Sequence, residues 1–188
     1  MAVKRTQYQK NAIYFCTITC YKWLHLFEIT NLYYYLYSVF GTLKDKYGCY
    51  LNGYVIMPNH IHLLIYVGNE SPLINEVIGN SKRFIAYEII KRLHENAEHS
   101  YLEILSNGVN NSDRKNGKKH QVFQPSFDAK LCFNQQMIEE KLKYMHLNPV
   151  SKNWSLANNY VEYKHSSCRF YQLGEKLGVD VFHYNEFL

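Results

Sequence analysis

The spacing of apolar residues along this chain changes several times, and each change marks an element. Ala12 to Cys20 (AIYFCTITC) alternates and is rich in β-forming residues, which predicts a strand. Thr30 to Tyr47 is apolar at helical spacing and predicts a long helix capped by Thr30 or Asn31. Tyr50 to Met57 and Asn59 to Val67 return to strand character on either side of Pro58. Proline removes a ladder donor, so Pro58 marks an edge, a strand start or a bulge. Gly68 to Pro72 (GNESP) reads as a turn. Leu73 to Glu95 follows as a helix with a breakable point at Gly79 and a basic face holding Lys82 and Arg83. A short helix is expected over Glu98 to Leu105. Residues 106–121 (SNGVNNSDRKNGKKHQ) are polar and aperiodic, an exposed basic loop. Val122 to Cys132 regains β-like character, and Asn134 caps a helix from Gln135 to Leu147 that ends before Pro149. The rest, 150–188, is an irregular, Tyr-rich tail, and no internal repeat is present.

Composition narrows the class. A chain of 188 residues with 47% hydrophobic content suits a single domain with a real core. The formal charge of +5 suits a polyanionic partner. Its local clusters are Lys82, Arg83, Lys91 and Arg92, then Arg114, Lys115, Lys118 and Lys119. Each cluster is compatible with phosphate contacts or with a solvated face. The 5 cysteines are odd in number and contain no C-x-x-C pair, which argues against a zinc ribbon or a disulfide framework. Reduced thiols, the lack of an apolar leader in MAVKRTQYQKN and the lack of a bilayer-length apolar run point to a cytoplasmic chain with no membrane partner.

Two segments carry candidate chemistry. In GYVIMPNHIHLLI (Gly53 to Ile65), His60 and His62 are two residues apart in a strand, so both imidazoles share one face. Met57, Ile61, Leu63 and Ile65 are expected on the other. Two neutral imidazoles side by side make half of a divalent metal site, although an isolated H-x-H also suits a packed, hydrogen-bonded pair. In EEKLKYMHLNPV (Glu139 to Val150), Ile138, Leu142 and Met145 form an apolar helical stripe. Glu140, Tyr144 and Asn148 form a separate stripe at i, i+4 and i+8, which presents Tyr144 rather than burying it.

Together, GYVIMPNHIHLLI and KLKYMHLNPV resemble the signatures of the REP-associated tyrosine transposases, a group within the insertion-sequence-200-like single-tyrosine HUH transposases. YFCTIT, VFQPSF (Val122 to Phe127) and YKHSSCRFY (Tyr163 to Tyr171) add to the resemblance, which spans roughly residues 10 to 172. It implies that His60, His62 and Asn148 bind Mg2+ or Mn2+ and that Tyr144 is the nucleophile. The implied reaction is cleavage of single-stranded DNA beside imperfect hairpins, REP-like palindromes, through a covalent 5′-phosphotyrosine. The implied fold is α+β, a ferredoxin-like antiparallel sheet with helices packed on one face and the HUH motif on a central strand. Asn59 and Glu140 are candidates for a further group in the metal pocket, and Trp154 and Tyr171 for base stacking. The eight clustered cations are candidates for DNA contacts. A bacterial, nucleoid-associated monomer is favoured, with a homodimer as the alternative. Other readings are a domesticated hairpin-binding protein that no longer cuts, and a phosphoesterase that uses water.

Overall fold

The computed structural model describes residues 7–125 and 128–188; the first six residues, and Ser126 and Phe127 at the end of VFQPSF, lie outside the described residues. Strands β1 (Ala12–Thr19), β2 (Cys49–Ile56), β3 (His60–Val67) and β4 (Asp128–Cys132) form one antiparallel sheet in the order β2–β3–β1–β4. Between them run α1 (Leu26–Ile29), α2 (Tyr33–Tyr47), α3 (Ile74–Glu95), α4 (His99–Asn107) and α5 (Asn111–Lys115). After β4 come α6 (Gln135–Leu147) and α7 (Cys168–Leu173). With α2 and α3 as the crossovers, this is the βαββαβ order of a ferredoxin-like α+β fold. The expected fold class is present, with the H-x-H strand in the sheet's interior.

Both faces of the sheet are covered, but differently. Tyr14, Cys16 and Ile18 of β1 and Ile61, Leu63 and Ile65 of β3 bury on one face, together with the apolar stripes of α2 and α3. In α3 that stripe is Ile74, Val77, Ile78, Ile85, Ile89 and Leu93. Gly79 does not break the helix, because it lies on the exposed side and meets no neighbour there. The opposite face carries a second cluster in which Ile13, Phe15, Val55 and Leu64 pack against Ile138, Leu142 and Met145 of α6. Helices on one face therefore describes α2 and α3, while α6 lies across the other.

Several local expectations are corrected. The helix expected over 30–47 is α2, which begins only at Tyr33; Thr30 and Asn31 link it to the short α1, with Asn31 at φ 46°. Thr30 closes the end of α1, its Oγ1 donating to the Leu26 carbonyl at 2.6 Å, and caps no N-terminus. Pro58 and Asn59 form a hairpin turn, with the Met57 N–H donating to the His60 carbonyl at 2.8 Å. Residues directly opposite in an antiparallel pair share a face. Met57 accordingly packs in the second cluster, on the histidine side, and not with Ile61 as expected. A count by twos cannot be carried across a reversal of the chain.

Residues 106–121 are basic and mostly exposed, and they are ordered into the end of α4 and all of α5. Asn110 caps α5 by accepting from the Asp113 N–H, and Val109 is buried. The tail is irregular but structural. The Ile56 N–H donates to the His165 carbonyl at 2.8 Å, Tyr163 Oη donates to the Ile56 carbonyl at 2.7 Å, and both Tyr163 and Tyr184 join the second cluster.

Candidate active site

The register of β1 on β3 builds the site. Thr17 lies opposite His62 and Thr19 opposite His60, so all four side chains share the face turned towards α6. The two imidazole centroids are 4.8 Å apart, and both residues are buried. Asn59 fixes the first ring. Its amide Nδ2 donates to the Trp23 carbonyl at 2.9 Å, which leaves Oδ1 to accept from His60 Nδ1 at 2.7 Å. His60 Nε2 then carries a lone pair, and the Asn148 amide faces it at 3.1 Å. Thr17 Oγ1 meets His62 Nδ1 at 3.0 Å. His62 Nε2 is buried with no hydrogen-bond partner among the described residues. Burial pulls the His60 pKa down to about 4. It pulls His62 down to about 3, with smaller contributions from His60 and the Lys141 ammonium. Both rings are neutral at physiological pH, the state in which imidazole binds metal.

The third side of the site comes from α6. Asn134 starts it, its Oδ1 accepting from the Met137 N–H at 2.8 Å. The buried stripe of Ile138, Leu142 and Met145 seats it on the sheet. Gly53 lets it approach: a Cβ there would stand 2.8 Å from Leu142 Cδ2 and 3.1 Å from Met145 Cε. Tyr184 Oη adds a tether by donating to Glu139 at 2.8 Å. With that face fixed, Glu140, Tyr144 and Asn148 turn towards the histidines. The Tyr144 ring is 5.2 Å from His62 and 6.2 Å from Phe15, which itself stacks on His62 at 5.2 Å. Tyr144 remains 54% exposed, accessible to a substrate as large as a nucleic-acid strand. Asn148 sits at the helix end, as expected.

These groups line an open cavity of about 860 Å3. Lys130, Lys141 and Lys143 line it together with the acidic Asp128 and Glu140. Among the described residues no three His, Cys, Asp or Glu side chains gather as a metal-binding group. Of the two candidates for an extra pocket group, Glu140 lines the cavity, whereas Asn59 acts on the far nitrogen of His60.

The other predicted residues fall elsewhere. None of the eight clustered cations lines the cavity. On α3, Lys82 lies over the Phe123 ring and Arg83 over Phe84. Lys91 pairs with Glu88 and Glu95. Arg92 pairs with Glu88 and donates to the Thr30 and Asn31 carbonyls, holding the end of α1. Arg114, Lys118 and Lys119 line a separate shallow cleft near α5, with Lys118 paired to Asp113 and Lys115 exposed beside them. Trp154 does reach the site, 5.6 Å from the His60 ring. Tyr171 does not: its hydroxyl donates to the Asn52 carbonyl at 2.6 Å and its ring packs the tail. Sequence reading passed over Phe15, Thr17, Trp23, Lys130, Lys141 and Lys143. Lys141 and Lys143 had a signal, since they flank Tyr144 on its own helix.

The family model described as "Transposase IS200 like" matches residues 9–108, which include both histidines and stop short of α6. The solved structure of a REP-associated tyrosine transposase bound to a REP hairpin superposes with a TM-score of 0.58 at 16% identity. The alignment covers 97% of this chain and 92% of that one, a likeness of fold. No curated protein matches the chain. Among the described residues no helix is long and apolar enough to cross a membrane.

Proposed function

The chain belongs to the IS200-like transposase family, and on that footing we propose that it is a metal-dependent single-stranded DNA endonuclease and strand-transferase that cuts beside hairpins. The observation that carries the proposal is the approach of an exposed phenol, Tyr144, to within 5.2 Å of the buried His62 ring. Asn148, one helical turn on, faces His60.

The donor set fits a hard divalent cation. His60 Nε2, His62 Nε2 and the Asn148 amide oxygen, presented by a half-turn of the amide, would hold Mg2+ or Mn2+ and leave positions for water and phosphate oxygens. When bound, the ion polarises the scissile phosphate. The orphaned His62 nitrogen supports this reading, because a buried polar atom without a partner is costly and is a usual mark of function. Asn59 and Thr17 hold the opposite ring nitrogens and fix which atoms face the cavity.

Tyr144 Oη attacks the phosphorus, the new O–P bond replaces the P–O3′ bond, and the phenol's proton ends on the departing 3′ oxygen. The product is a 5′-phosphotyrosine and a free 3′-hydroxyl. The diester energy is kept in the covalent link, so a second 3′-hydroxyl can reverse the step on another strand. Lys130, Lys141 and Lys143 are positioned to neutralise the backbone entering the cavity. Lys82 and Arg83 of α3, and Arg114, Lys115 and Lys119 around α5, are assigned to the hairpin arm. Lys91, Arg92 and Lys118 are engaged by the fold's own carboxylates. REP-like palindromes are the proposed hairpins, since a protein of the same fold was solved with one. The phenol and both imidazoles come from one chain, which supports a monomer acting in cis.

Labelled single-stranded hairpins incubated with Mg2+ or Mn2+ and run on denaturing gels test the proposal. A protein–DNA adduct that Tyr144→Phe abolishes is the expected result. Cutting that survives Tyr144→Phe would replace it with a water-using phosphoesterase. Binding without cutting would replace it with a hairpin-binding module.

A further inference from the structure

Both tryptophans of the chain line the candidate active-site cavity. Trp23 stands 6.0 Å from the His60 ring at 75°, and Trp154 stands 5.6 Å from it at 51°. Trp154 is partly buried and backed by His25 at 5.7 Å. Trp23 is 58% exposed, a large apolar ring left in water at the mouth of a cavity that also holds three lysines.

The backbone goes out of its way to hold it there. Lys22 and Trp23 adopt φ 51° and 59° in succession, a left-handed conformation that bulky side chains rarely take. The turn is pinned by the Trp23 N–H donating to the Cys20 carbonyl at 3.1 Å and by Asn59 Nδ2 donating to the Trp23 carbonyl at 2.9 Å. The same Asn59 sets the His60 ring. Trp23 is thus an exposed aromatic surface held at a fixed place beside the candidate metal ligands. Single strands are held in this manner, with cations along the backbone and aromatic faces under the bases.

We propose that Trp23 is a stacking platform for an unpaired nucleobase next to the scissile phosphate, with Trp154 as the second wall of that base site. The inference rests on the DNA-cutting reading above and adds to it a residue that selects unpaired DNA: a base still stacked in a duplex cannot lie on the indole.

Trp154→Phe leaves Trp23 as the sole tryptophan and turns its emission into a direct reporter. That protein is titrated with a short oligothymidylate and with an abasic phosphodiester chain of equal length. The oligothymidylate should quench Trp23 emission and bind more tightly than the abasic chain. In the otherwise unaltered protein, Trp23→Ala should weaken oligothymidylate binding at least about fivefold, the lower end for losing one stacked base, and leave abasic binding unchanged. Trp23→Phe should restore most of the loss, and the thermal unfolding midpoint should not move. Equal oligothymidylate affinity with and without Trp23, or an equal loss for both chains, would overturn the platform. If adduct formation is intact in either case, only the platform falls. If the parent protein binds neither chain and forms no adduct with a single-stranded hairpin, the DNA-cutting reading falls with it.

Discussion

On one face of the sheet, Cys16, Ile18, Ile61, Leu63 and Ile65 disappear beneath α2 and α3. One residue along the same two strands, Thr17, Thr19, His60 and His62 look into a cavity of about 860 Å3. The contrast follows from the two-residue period of a strand. One set of side chains can be chosen for packing alone. The other inherits a rigid backbone and needs only partial cover, so α6 and the tail leave an opening where the polar groups converge. Stability and chemistry are thereby placed back to back, and a substitution on one face should leave the other intact.

The largest expected effect is the sharpest test of that separation. Tyr144→Phe should eliminate the covalent adduct on denaturing gels while leaving the unfolding midpoint unchanged, because the residue is exposed and its hydroxyl carries no packing. The reciprocal experiment is Leu63→Ala, at a position 2% exposed on the packed face. It should cost about 2–5 kcal/mol in urea unfolding, yet leave adduct formation per folded molecule unchanged. A Leu63→Ala protein that is stable but inactive would break the comparison.

Acid and base should next weaken the fold through different groups. Burial lowers His60 to about 4 and His62 to about 3 from 6.5, and lowers His146, bonded to Ser167, and His165, stacked on Tyr33 of α2, to about 4. Below pH 6.5 the unfolded chain takes up protons that the metal-free folded chain refuses, so stability should fall as pH drops from about 6.5 towards 4. Burial pushes the Cys16 and Cys20 thiols up on the packed face and the Cys132 thiol up on the other. Unfolded thiols ionise near ~8.5 while these stay protonated, so the fold should lose stability as pH rises above that value. Urea midpoints across pH would show both limbs. Replacing His60 and His62 with Asn should shrink the acid limb to the part carried by His146 and His165 and leave the alkaline limb alone.

The smallest effect concerns the threonine that holds His62. Thr17→Val removes the oxygen at 3.0 Å from His62 Nδ1 and nearly preserves volume. Mn2+ affinity, read by electron paramagnetic resonance, should fall about tenfold to a hundredfold, with little change in the unfolding midpoint. An unchanged affinity would show that strand register alone aims the ring.

Local chemistry made much of this visible in the sequence. Asn134 announced the start of α6, the H-x-H spacing put two imidazoles on one face, and the i, i+4 spacing turned Tyr144 away from the core. What stayed hidden depended on partners far along the chain. Thr17 matters only because it lies opposite His62, 45 residues away. Trp23 matters through a left-handed turn held by Asn59, which no periodicity records. The apolar spacing of Leu36, Phe40 and Leu43, all buried, found α2, but no spacing records the left-handed Asn31 that delays its start to Tyr33. The basic clusters on α3 and α5 drew attention by density, whereas Lys130, Lys141 and Lys143 converge from β4 and α6 only once the sheet is formed.

Gly53 contributes no atom to the cavity, yet it lets the helix that carries Tyr144 settle close to the sheet. Leu142 and Met145 occupy the space where any larger residue would begin, and Tyr144 and Asn148 ride on the same rod. A single added methyl would first push aside the ends of those two side chains, and their repacking would set where the rod comes to rest. Phenol and amide would follow it together, governed from a position outside the cavity they line.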